Sequence, residues 1–475
     1  MAQNRTYLFV MVHRWAFTVG ALLATVSLLA GCGLYHKRFE VDPKVAEHVN
    51  YVLQLDDVGK FWDMRDAERA LLEIQTSAKT TNTIVVTFIH GWHHNASASD
   101  PNLKDFKESI EALRTQLGTP LYAESRRRLT GISDVRVIGI YVGWRGRSLP
   151  AWADYATFWS RKAAAERVGE GDFREFMLRL NRIYEQSNPS IERSEWEMIK
   201  NGQARSPFMG LVSFGHSFGG QVLFRATQPI LEANLVAAGA KMVFKKDVER
   251  EKVRDPLKGF GDIVVLINPA LEALQYDRID RLSRTLEYDR LQPPLLFVIS
   301  ATTDSARSLW FPLGRAADAA LRADLRPEVR DMWGQALGSY VPQQTHEVTI
   351  VGDPQEGWKF DPEDAYKTDS CKVINADLTS NPEFLTNESR GEDSPHREGV
   401  VMKRLEHREH AYAPFVVANV PIPKAGVAAL VDGHNEIWKS VFETFLTNYI
   451  AITQGKRILI RRSAQDECAV LPVRP

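Results

Sequence analysis

One short stretch of this chain has the residue types and spacing of a nucleophile: Phe214–Gly220, FGHSFGG, with Ser217 between Gly215 and Gly219. A serine hydroxyl is a poor nucleophile at neutral pH. It works only beside a histidine base, which in turn needs an acid to fix its tautomer and stabilise its cation. The pattern G-x-S-x-G also occurs in ordinary glycine-rich bends, so the surrounding elements decide between the two readings. If the chain order is serine, acid, histidine, both partners lie downstream. Asp304 closes the apolar run PLLFVISATTD, at the carboxyl end of a strand, where open parallel sheets carry their reactive groups. Its other possible role is N-cap of a following helix. Among the later histidines, His346, His396, His407 and His410 lie in or beside a polar stretch and are expected to be solvated. His434, in VDGHNEIW, follows the last apolar strand and precedes the closing helix, and is the expected base.

An acyl-transfer site also needs two N–H donors aimed at the oxygen on which charge develops. Phe218, directly after the serine, offers one from the start of a helix. Trp92, in FIHGWHHN, offers the other from the loop after an earlier strand. His90, His93 and His94 in that loop also suggest a metal, but adjacent histidines point apart and no helix carries them at i, i+4, so neither metal nor other cofactor is expected. His93, Trp144, Trp152 and Tyr155, with Phe158 and Trp159 nearby, are candidates for an apolar substrate pocket. The same aromatics also suit a core.

These groups need a scaffold, and the apolar runs provide one. Thr83–Trp92, Val135–Trp144, Phe208–Ser217, Asp262–Ala270, Pro294–Asp304 and Ala413–Val420 are short, rich in β-branched residues and almost continuously apolar. Strands covered by helices on both faces have that character, so the fold class is α/β with a mostly parallel central sheet. Ser217 then falls between a buried strand, GLVSF over 210–214, and a helix opening at Phe218. Phe173, Phe176, Met177, Leu180 and Tyr184 form one stripe of a predicted helix over 172–184. Ile437, Val441, Phe445 and Tyr449 mark a closing helix over 435–453. Residues 353–410 read as a polar surface insertion and 32–80 as a linker with a helical lead-in, leaving 81–475 as the main domain.

The 475 residues are 44% hydrophobic and 25% charged, with a net charge of −1. That composition is globular, and it supplies no global field to attract nucleic acid. The start of the chain differs: Arg5, His13 and Arg14 precede the apolar run Ala16–Ala30, too short to span a bilayer comfortably, as in an export signal. Leu29–Cys32, LAGC, resembles the bacterial lipobox, which implies a signal peptide over 1–31 and a diacylglycerol on Cys32. Gly33 after that cysteine implies, for a Gram-negative source, an outer-membrane anchor with the domain facing the periplasm. Cys371 and Cys468 are free to pair in an oxidising compartment.

Taken in order, FIHGW, YVGWRG, GHSFGG, SATTD and DGHNEIW resemble the α/β-hydrolase superfamily, in its serine-hydrolase branches with an HG oxyanion loop and a GHSxGG elbow. The resemblance covers about 83–453. It implies a Ser217, Asp304, His434 triad and esterase or lipase chemistry on a small-molecule or lipid ester. An acyltransferase, amidase or peptidase would share the triad, and a non-catalytic envelope lipoprotein could share the fold. The chain departs from the family in the long interval between Asp304 and His434, which leaves Asp353, in TIVGD, as an alternative acid.

Overall fold

The computed structural model describes residues 38–40, 50–148, 157–241, 250–253, 255–289, 291–304, 326–351, 386–391, 394–406, 412–422, 430–431, 433–435, 437–438 and 440–461. The expected signal peptide with Cys32, the pocket candidates Trp152 and Tyr155, the cysteines Cys371 and Cys468, and Asp353, His407 and His410 all lie outside them.

In chain order the strands are β1 (Tyr51–Gln54), β2 (Asn82–Ile89), β3 (Val135–Gly143), β4 (Met209–His216), β5 (Glu251–Lys252), β6 (Ile263–Ile267), β7 (Leu286–Glu287), β8 (Leu296–Ala301), β9 (His346–Val351), β10 (Thr386–Gly391), β11 (Ser394–Arg404) and β12 (Phe415–Val420). The helices are α1 (Met64–Ser77), α2 (Pro101–Leu117), α3 (Pro120–Thr130), α4 (Phe158–Glu170), α5 (Asp172–Ser187), α6 (Arg193–Lys200), α7 (Phe218–Ala237), α8 (Ala273–Ser283), α9 (Pro327–Gly334) and α10 (Ser440–Arg461). Ten strands form one sheet in the order β1-β3-β2-β4-β6-β8-β12-β9-β11-β10. From β1 through β9 every pairing is parallel, and β11 and β10 extend that edge antiparallel.

Alternation along the strands divides the core into two layers. In β2, Val85 and Ile89 face one side with α1, α4, α5, α7 and α8, while Ile84, Val86 and Phe88 face the other with α2 and α10. The α5 stripe is buried as its spacing predicts. Each fully buried Leu or Phe, such as Leu223 and Phe224 of α7, contributes roughly 2–3 kcal/mol of transfer free energy.

Three features differ from the expectations. The lead-in contributes β1 and α1 to the sheet and its cover; β1 has only four residues, too short for an alternating pattern to stand out. Within the stretch read as polar loop, β10 and β11 form a hairpin paired from Thr386↔Gly399 to Gly391↔Ser394. Its polarity suits the outer end of a sheet, where charge discourages pairing with another chain. The closing helix starts at Ser440 and not at 435, so His434 is in a turn well clear of it.

Candidate active site

Strand β4 runs into α7 through a single residue, Ser217, whose φ of 55° and ψ of −121° are strained for a side chain with a Cβ. Backbone bonds hold it there: Ser217 N donates to Ile267 O at 3.0 Å, and Ser217 O accepts from Gly220 N and Ala270 N at 3.0 and 3.1 Å. The glycines around it answer to close approach. A Cβ on Gly219 would collide with the carbonyl of Ile89 and sit 2.5 Å from that of His90, and a Cβ on Gly215 would sit 2.6 Å from Gly219 O. A Cβ on Gly91 would come within 2.8 Å of the Ser217 Cβ. Elbow and neighbouring loop are therefore packed backbone to backbone.

Ser217, Asp304 and His434 converge above the carboxyl ends of β4, β8 and β12. His434 Nε2 is 2.7 Å from Ser217 Oγ, and His434 Nδ1 is 2.8 Å from Asp304 Oδ2. The Asp304 side chain is fully buried, that of His434 is 18% exposed, and Ser217 is 3% exposed. A buried carboxylate facing one ring nitrogen fixes the tautomer whose other nitrogen accepts the serine proton. Any helix that Asp304 would cap falls on 305–325, outside the described residues.

A second set of groups holds the His434 loop. His216 Nε2 donates to His434 O at 2.8 Å, and Asn268 Nδ2 donates to Gly433 O and His434 O at 3.1 and 3.2 Å. Gly433 N donates to Thr303 Oγ1 at 2.9 Å, tying that loop to the one carrying Asp304. Burial pushes His216 down to about 3, helped by the neighbouring His434, so it is a neutral donor. Asn268 is itself in a left-handed conformation, φ 45°, and its Oδ1 accepts from Ala301 N at 2.9 Å. Neither residue was singled out from sequence. Their visible signals were only a histidine inside GHS and an asparagine ending the apolar run DIVVLIN.

His90 has a different task from a metal ligand. Its ring is fully buried, which lowers its pKa to about 4, and it stacks on Trp144 at 5.7 Å. His90 Nδ1 donates to Gly91 O at 2.9 Å, and Trp144 N donates to His90 Nε2 at 3.1 Å. Across the planar trans peptide, holding Gly91 O toward His90 turns the Trp92 N–H to the opposite side. Phe218 begins α7, so its N–H has no acceptor within the helix.

The other named residues divide. Trp144 is 3% exposed and braces the loop, with its indole Nε1 donating to His90 O at 3.0 Å. The His93 ring stacks on Trp92 at 4.0 Å. Phe158, opening α4, packs against Trp92 and Phe218 at 5.2 and 5.0 Å, which lays α4 over the mouth of the elbow. His346, expected to be solvated, is buried at the start of β9 beside Thr345 Oγ1 at 2.7 Å, because β12 and β11 flank that strand. His396 lies on β11, next to the edge strand β10.

Compared with protein-family models, curated proteins and solved structures, the chain matches none of them.

Proposed function

We propose that this protein is a serine hydrolase of the α/β-hydrolase type, acting on carboxylic esters and tethered to the cell envelope by a lipid on Cys32. The observation that carries the reading is the unbroken array Asp304, His434, Ser217, with contacts of 2.8 and 2.7 Å, on a strained turn at a helix N-terminus.

Ser217 Oγ attacks the acyl carbonyl as His434 Nε2 takes its proton. The oxyanion is held by the N–H groups of Phe218 and Trp92. His434 returns the proton to the leaving oxygen, and water then cleaves the acyl-enzyme by the same route. Asp304 stays ionised and stabilises the imidazolium. All steps use groups of this chain, with no metal or cofactor called on.

Labelling of the folded protein with a fluorophosphonate tests the reading. Wild type is expected to label, and Ser217→Ala and His434→Ala are not. A folded wild type that resists the probe overturns it in favour of a binding role.

A further inference from the structure

The chain enters the fold at the end of the sheet that carries Ser217. Phe39 is clasped by Gln54, the last residue of β1: Phe39 N donates to Gln54 Oε1 at 2.8 Å and Gln54 Nε2 to Phe39 O at 2.9 Å. Since β1 is parallel to β3, β2 and β4, Gln54 is at their carboxyl ends, level with His90 and His216. Three strand spacings separate β1 from β4, about 14 Å. Cys32 precedes Phe39 by seven residues, a reach of at most about 25 Å when extended. Strand β2 alone, with eight residues, spans roughly 26 Å. An anchor at Cys32 therefore cannot reach past the domain to bring its opposite end to a bilayer.

The same end has an apolar rim. Of the large hydrophobic residues exposed among the described ones, Val58, Trp62 and Met64 follow β1, Trp159 is in the first turn of α4, and Ile422 follows β12, with exposures of 38–67%. They flank Ser217 on both sides. Both tryptophans in the group are there, and tryptophan favours the membrane–water boundary, where its ring is half apolar and half wet.

We infer that the active-site end of the sheet faces the bilayer holding the anchor, and that the substrate is an acyl ester phospholipid taken directly from it. The inference rests on the hydrolase and lipid-anchor readings above. Ser217 Oγ bonds to the acyl carbon, the ester C–O bond breaks, and the proton carried by His434 leaves on the lysolipid oxygen. Water then releases the fatty acid and restores Ser217. Held by its tether and rim, the enzyme meets substrate without leaving the surface, so the rim governs access to lipid and leaves the chemistry alone.

The lipidated full chain, reconstituted in vesicles of phosphatidylethanolamine and phosphatidylglycerol, tests this with three readouts: fatty acid released from the vesicles, hydrolysis of water-soluble p-nitrophenyl butyrate, and tryptophan quenching by brominated lipid. Wild type is expected to hydrolyse both substrates and to be quenched. Trp62→Ser/Ile422→Ser, which leaves the residues around the elbow untouched, is expected to keep its rate on the soluble ester, which also reports folding, while lipid release falls roughly tenfold and quenching weakens. Hydrolysis of the soluble ester with the vesicle lipid left intact overturns the lipid inference and leaves the hydrolase standing, as do lipid release and quenching unchanged in the double variant. Failure on both substrates together with no fluorophosphonate label removes the hydrolase reading, and this inference with it.

Discussion

The imidazole of His216 donates to the main-chain carbonyl of His434, whose own ring reaches Ser217 next to His216 in the chain. Nucleophile and base are thus joined twice, once by side chain and once through the backbone of the base. Removing the backbone link in His216→Ala is expected to let the His434 ring drift and to lower kcat by roughly tenfold to a hundredfold with KM little changed. His216→Gln, which keeps an N–H at similar reach, is expected to recover most of the loss. Steady-state kinetics with a soluble ester check both, and equal damage in the two variants counts against a positioning role.

Asp304→Asn is expected to reduce kcat on the order of 10⁴-fold while the fold persists, because the amide favours the wrong His434 tautomer. A variant keeping about a tenth or more of the wild-type rate moves the acid role to Asp353.

Gly219→Ala is expected to cost more than about 3 kcal/mol or to prevent folding, because its Cβ meets the Ile89 and His90 carbonyls and backbone cannot step aside. Gly334, the last residue of α9, has nothing within 4 Å of the same position, and Gly334→Ala is expected to be neutral or stabilising by about 0.5 kcal/mol. Urea titration separates the pair.

His90 and His216 are held neutral by burial, with pKa values lowered from 6.5 to about 4 and about 3. The unfolded chain therefore binds more protons than the folded one below about pH 6.5. Stability is intact above that pH and declines as the pH falls toward 4 and then 3, by roughly 3 to 5 kcal/mol per ring at the limit. Thermal unfolding between pH 7 and 4 should show this slope, flattened in His216→Gln. A wild-type profile that is flat over the range would falsify the assignment of both rings as neutral.

Lys162 on α4 and Glu272, after β6, form a buried ion pair at 3.0 Å, with side chains 3% and 0% exposed. Lys162→Met alone is expected to destabilise by roughly 3–5 kcal/mol because it strands a buried carboxylate, and Lys162→Met/Glu272→Leu by clearly less. Chemical denaturation of both variants and wild type closes the comparison.

The six apolar runs read from sequence became β2, β3, β4, β6, β8 and β12, because strands buried on both faces need nearly continuous apolar residues. The convergence of Ser217, Asp304 and His434 was legible from their places at strand ends. What escaped was made by tertiary contact. Asn268 looks like the polar end of a strand until its amide meets the His434 loop. His90 is one of three loop histidines with no assigned role until its ring stacks on Trp144. The β10–β11 hairpin carries too little apolar signal to be told from loop, since an outer edge can be stabilised by backbone pairing with few buried side chains.

Asp304 and His434 stand 130 positions apart, yet the strands that deliver them, β8 and β12, are immediate neighbours. Of the described residues between them, β12 pairs directly with β8, and β9, β11 and β10 continue the sheet outward from β12. The acid and base loops are spaced by the β8–β12 ladder and not by what is threaded between. That border is therefore a natural graft point, where segments can be lengthened, trimmed or exchanged, in a lineage or at the bench, while the spacing of the catalytic groups stays constant.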